Sequence, residues 1–124
     1  ALFGVDVSDV VLRENIGRFR LTQASATHLP FADKTFAACY SADMLEHLPE
    51  PCVDLALREM VRVTSGVLAL GISCREALTL DEYGEQVHLT VQPTAWWQKK
   101  IASLGRLLAA EIPDAVHGFF LVEV

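Results

Sequence analysis

No stretch of this chain approaches the ~20 consecutive apolar residues that a membrane-spanning helix needs. Its longest apolar run, Val67 to Ile72, has the length of a strand, and nothing near its start has a signal-peptide pattern. Positive charge is also scarce. Ten Lys and Arg stand against sixteen Asp and Glu, a net charge of −6, with no basic cluster. Such a surface repels a phosphate backbone, so no nucleic-acid partner is expected. Cysteine is sparse as well: Cys39, Cys52 and Cys74 are odd in number, far apart, and form no CxxC. That excludes a disulfide framework and a CxxC zinc site, and suits buried thiols in a cytoplasmic protein without a membrane partner. Internal repeats, low-complexity tracts and linkers are lacking too.

What is present is apolar and alternating. At 124 residues, 52% of them hydrophobic, the chain has enough apolar content for one globular domain. Leu2 to Val7 reads as a short strand meeting an acid, Asp6. Ser8 can then cap a helix that carries Leu12, Ile16 and Phe19 at helical spacing, with Gly17 weakening its end. Residues 20–25 form a second candidate strand. The turn-rich "HLPFADK" follows, leading into a strand over 35–40.

Residues 52–64 predict a helix with Val53, Ala56, Leu57, Met60 and Val61 in one stripe and Asp54, Arg58 and Arg62 facing away. Gly66 stands where a helix-terminating glycine belongs. The run Val67 to Ile72 is apolar on both faces, as expected of a parallel strand covered by helices on both sides. Residues 75–92 are irregular. Pro93 can open a helix with Trp97, Ile101 and Leu104 inward and Trp96 bordering a cleft or partner. Residues 106–112 and 119–124 read as strands whose short connection forces antiparallel pairing.

This order predicts an α/β fold: a Rossmann-like, mostly parallel sheet flanked by helices and ending in an antiparallel β-hairpin. Ligands of such sheets bind outside the carboxyl ends of the strands, where Asp6, Ser25 and Ser41 fall. A carboxylate at position 6 can accept hydrogen bonds from both ribose hydroxyls of a nucleoside, or can simply favour a helix start.

"GVDVS", then "ASATHLPFADKTFAACYSADMLEHLPEP", then a helix and "GVLALGIS", resembles the class I S-adenosylmethionine-dependent methyltransferases of the small-molecule group. The resemblance covers nearly the whole chain. It implies methyl transfer from S-adenosylmethionine to a small-molecule acceptor by direct displacement. Asp6 becomes the ribose acceptor and Val7 an apolar cover on the adenine. Ser25 and Ala26 fall at the adenine edge, and Ser41 near the methionine end. Two positions depart from the pattern: Ser25 and Ala37 stand where the family usually has Asp. The family's first strand and glycine-rich loop have no counterpart in residues 1–124. The chain therefore reads as the C-terminal portion of one methyltransferase domain. Its sheet would be completed by a missing N-terminal segment or an oligomeric partner, and residues 1–124 alone would bind the cofactor weakly.

Within "SADMLEHLPEP", Asp43 and Glu46 have capping-box spacing. On the same segment His47 can face the site as a base for a hydroxyl acceptor, with His88 second. Some relatives hold a divalent metal with an acid-x-x-Glu-His segment and a later His, which would be Glu46, His47 and His88 here. The reading adopted is a capped turn whose His47 faces the site, without a metal. His28 and His117 read as solvated turn residues. Two rivals are a nicotinamide-dependent oxidoreductase, which Asp6 alone suits, and a non-catalytic domain of the same fold.

Overall fold

The longest helix runs into the longest strand without a loop. In a computed structural model, which describes every residue except 16, 18 and 19, α2 (Glu50–Val63) passes directly into β4 (Thr64–Ser73). Before them come β1 (Phe3–Asp6), α1 (Asp9–Glu14), β2 (Arg20–Gln23), β3 (Phe36–Ala42) and a 3-10 turn (Leu45–His47). After them come α3 (Thr94–Ala102), β5 (Arg106–Asp114) and β6 (His117–Glu123). Ser8 caps α1 as expected, accepting from the Val11 amide at 3.5 Å. The expected contributions of Ile16 and Phe19 lie outside the described residues.

α2 starts at Glu50, earlier than its periodicity suggests, because Pro49 sits at the cap and Pro51 lies in the first turn, where no amide is needed. Its buried face, Val53, Ala56, Leu57, Met60 and Val63, packs with Leu68, Leu70 and Ile72 of β4 and Phe120 and Val122 of β6. Trp97 and Ile101 of α3 close the same core, both fully buried. Trp96 is partly buried, edge-on to Trp97 with Lys100 over its ring. The three cysteines are free, and burial pushes the Cys74 thiol up to about 11.

The strands form two sheets. β1 and β2 pair in parallel, while the larger sheet has the order β3-β4-β6-β5. β3 and β4 are parallel, and β6 runs antiparallel to both β4 and β5, giving the expected closing hairpin. β1 and β3 are not hydrogen-bonded neighbours, so the ladder is interrupted between the strand ending at Asp6 and the strand carrying Tyr40.

Two further expectations need correction. β4 is not covered equally on both faces: the side of Leu68, Leu70 and Ile72 is buried, whereas the opposite side borders exposed Tyr40 and Phe119. Gly66 does not terminate α2, whose cap is the extended Thr64. It lies within β4, where any Cβ would run into the carbonyl oxygen of Ala37 on β3.

The two sheets are joined by aromatic packing. Phe3 and Phe36, the first residues of β1 and β3, have ring centroids 5.5 Å apart, and Phe31 packs edge-on to Phe36 at 4.8 Å. Arg62, expected to face away, fixes this turn. Its guanidinium donates to the Phe31 carbonyl (2.7 Å), the Leu29 carbonyl (2.9 Å), Asp33 (2.8 Å) and both oxygens of Glu59. Glu59 in turn accepts from the Leu29 amide at 2.7 Å.

The hydrogen bonds from Arg62, with that of Leu29 adding to them, lower the Glu59 carboxyl from its ordinary 4.5 to about 2. A depressed folded-state pKa contributes stability that is complete above 4.5 and is lost as pH falls towards 2. Urea midpoints should therefore fall across that window, and Glu59→Gln should flatten part of the fall. An identical pH profile in the variant would contradict this role.

Candidate functional site

The carboxyl ends of β1 and β2 bring one group of expected residues together. Asp6 pairs with Gln23 in the strand register, and its carbonyl accepts from the Ala24 amide at 3.1 Å. The Asp6 Oδ1 accepts from the Ser8 amide at 2.8 Å; its Oδ2 has no hydrogen-bond partner among the described residues. Gln23 donates to the Val7 carbonyl at 3.0 Å, fixing that backbone while the Val7 side chain remains 72% exposed. Ser25 is engaged locally: its hydroxyl pairs with that of Thr27 at 2.8 Å and accepts the Thr27 amide. Ala26 is half-buried against the core.

Ser41 belongs to the other sheet, paired with Leu70 near the end of β3. β1 and β3 both begin at the phenylalanine cluster, and their far ends carry Asp6 and Ser41.

Beyond β3 the expected capping box does not form. Asp43 adopts a left-handed φ of 49°, not the extended conformation of a cap, and the turn has no side-chain cap. Glu46 does not reach back to an amide at the start of its turn. It is fully buried: Oε1 accepts from the Ser73 amide at 2.9 Å, and its carbonyl accepts from Leu89 (2.8 Å) and Thr90 (3.0 Å). The Glu46 Oε2 is buried without a hydrogen-bond partner among the described residues.

This anchoring brings the end of β4 and the segment 88–90 to the 45–47 turn. The rings of His47 and His88 meet edge-on, with centroids 4.7 Å apart. His88 Nδ1 lies 2.6 Å from the Arg75 carbonyl. A carbonyl can only accept, so Nδ1 carries the proton and Nε2 of the neutral ring keeps its lone pair. Glu46, His47 and His88 each place one ligand-capable atom within 4.8 Å of the others.

His47 and His88 line a cavity of about 400 Å³ together with Asp43, Ser73, Arg75 and His117. His117 is thus not a turn residue, although its side chain stays 34% exposed. It opens β6, pairs in register with Ser73, and its Nδ1 lies 2.9 Å from Asp114. The sequence contained signals for these additions. Ser73 and Arg75 follow an apolar strand at its carboxyl end, and a hairpin returning antiparallel to that strand must start beside it. His28 is exposed and takes no part in the cavity.

A strand order this specific defines a fold class, and comparison with known proteins identifies it. A protein of Pyrococcus horikoshii OT3 superposes with a TM-score of 0.79 at 18% identity, covering 98% of this chain and 70% of its own. The 1,6-didemethyltoxoflavin-N1-methyltransferase of Burkholderia thailandensis, solved with 1,6-didemethyltoxoflavin and S-adenosylhomocysteine, gives 0.69 at 11%, covering 98% and 60%. The [4+2]-cyclase SpnF gives 0.61 at 24%, covering 88% and 44%. The chain thus spans less than two thirds of two of these three proteins. No curated protein sequence matches it.

The architecture is that of the class I, Rossmann-like methyltransferases. The methyltransferase-domain family model matches residues 1–69, more than half of the chain, which therefore belongs to that family of S-adenosylmethionine-dependent enzymes.

The ring geometry is directly testable. In nitrogen-15 spectra, neutral His88 should be the Nδ1-protonated tautomer; the Nε2-protonated form would contradict the bond to Arg75.

Proposed function

We propose that this protein transfers a methyl group from S-adenosylmethionine to a small-molecule acceptor, with the cofactor at the carboxyl ends of β1 and β2 and the acceptor in the cavity beyond β3 and β4. The observation that carries the reading is Asp6, at the end of its strand with one carboxylate oxygen tied to the Ser8 amide and the other without a protein partner among the described residues. A charged acceptor in that position suits a pair of ribose hydroxyls. Exposed Val7 supplies an apolar surface for the adenine, and Ala26 supplies its edge, with the backbone of Ser25 beside it. Ser41 stands towards the methionine end.

When bound, S-adenosylmethionine supplies an electrophilic sulfonium methyl, transferred by direct displacement. The residues of this chain need only hold acceptor and cofactor in line, since orientation accounts for much of such a rate. For a hydroxyl acceptor, His47 or His88 takes the proton. His88 is held in the receptive tautomer by the Arg75 carbonyl, whereas the His47 ring is exposed at the cavity.

One observation favours a second reading of the same residues. Glu46 Oε2, without a hydrogen-bond partner among the described residues, fits with His47 and His88 the donor set of a divalent cation, which would polarise an acceptor oxygen. We further propose that an additional strand, carrying the glycine-rich loop and coming from the rest of the polypeptide or from a partner, completes the sheet between β1 and β3. The interruption of the ladder at that point supports it.

With the sheet complete, Asp6→Ala should weaken S-adenosylmethionine binding by about 2 kcal/mol, the scale of hydrogen bonds to a charged group. An unchanged dissociation constant in calorimetry would remove the ribose role. His47→Ala should lower kcat more than cofactor affinity. Equal turnover in variant and parent would assign His47 no chemical part, and activity surviving thorough chelation would eliminate the cation.

A further inference from the structure

The cavity beside the proposed transfer site is electrostatically unlike the rest of the molecule. The chain carries a net charge of −6, yet three of its four histidines and one arginine line this single cavity. Asp43 is the only carboxylate residue among the lining side chains.

Arg75 is the informative residue. It is half-buried, lines the cavity, and forms no ion pair among the described residues. Asp43, on the same cavity, forms no ion pair with it among the described residues, and two other nearby acids are engaged elsewhere. Asp114 accepts from the Val116 and His117 amides, each at 2.8 Å, and from His117 Nδ1. Glu46 Oε1 is taken by the Ser73 amide. A partly desolvated guanidinium is costly when unpaired, and its planar fork matches a carboxylate.

The backbone explains why Arg75 and His117 act on one volume. Ser73 is the last residue of β4, and Arg75 follows at the bend just after it, so both line the cavity. His117 is the cross-strand partner of Ser73. The Cys74 amide donates to the Val116 carbonyl at 2.7 Å and extends that register one residue past Ser73. Leu78 and Val87 add apolar wall to the same cavity. A lone guanidinium, with no helix amino terminus among the lining residues, suits a singly charged group better than a phosphate dianion.

We infer that the methyl acceptor is a small, partly apolar carboxylic acid whose carboxylate is bound by Arg75, with His117 beside it. This deepens the methyl-transfer reading and rests on it.

The test uses the complete protein, benzoate as the carboxylate probe and benzamide as its neutral isostere. Histidine ring signals are followed by NMR, and S-adenosylhomocysteine binding is measured in parallel. Benzoate should shift the His117 and His88 signals saturably, with benzamide weaker by about tenfold or more, a difference of ~1.4 kcal/mol. Arg75→Gln should weaken benzoate by a similar factor, while Arg75→Lys, which keeps the charge but not the planar fork, should fall between that variant and the wild type. An unchanged amide spectrum establishes that the glutamine variant is folded. Absent benzoate shifts, equal binding of the two probes, or wild-type benzoate affinity in Arg75→Gln would overturn the inference. Benzoate binding without S-adenosylhomocysteine binding would keep the anion site and remove the methyl-transfer reading. The reverse pattern would do the opposite.

Discussion

A single buried acid, Glu46, organises the histidine-lined cavity of this molecule. Glu46 is fully enclosed, and it joins three separate segments: its side chain holds the end of β4 through the Ser73 amide, its carbonyl holds residues 89 and 90, and its own turn follows β3. With the Thr90 hydroxyl, which donates to the Leu48 carbonyl at 2.6 Å, that hub keeps the irregular stretch after β4 against the 45–47 turn, where His47 and His88 meet. Burying a carboxylate is costly unless it is bonded. One of the Glu46 oxygens has no hydrogen-bond partner among the described residues.

The cofactor side depends on a different constraint. The small sheet of β1 and β2 shares no ladder with the larger one, so its position rests on the phenylalanine cluster and on the segment between Leu29 and Asp33. Arg62 and Glu59 of α2 clamp that segment through its backbone. Because the same helix begins just after the His47 turn, α2 connects the two halves of the proposed site. Its inner face packs the core, and its outer edge holds the turn beside β1 and β2.

Much of this was legible in the sequence because periodicity and turn chemistry report local preferences. The α2 stripe, the closing hairpin, the Ser8 cap and the strand-end position of Asp6 all follow from local rules. Four features did not, and each was decided by a distant partner. Asp43 and Glu46 have capping-box spacing, but the Ser73 amide, far along the chain, claims the Glu46 carboxylate. Arg62 sits on the polar side of its helix, where sequence cannot distinguish solvent from the carbonyls of residues 29 and 31. Gly66 looks like a helix terminator, yet the Ala37 carbonyl excludes a side chain there. His117 reads as a turn residue until the hairpin register sets it opposite Ser73. A strand-end acid such as Asp6 is a short-range pattern, whereas the cavity at His47, His88 and His117 is assembled from separated segments.

The central claim is that the carboxyl ends of these strands receive S-adenosylmethionine. A crystal structure of the protein with S-adenosylhomocysteine tests it most directly. The account requires the ribose hydroxyls on the Asp6 carboxylate, the adenine against Val7 and Ala26, and the sulfur directed towards Ser41 and the histidine-lined cavity. A ligand bound elsewhere, or bound here with Asp6 out of reach of the ribose, would contradict it.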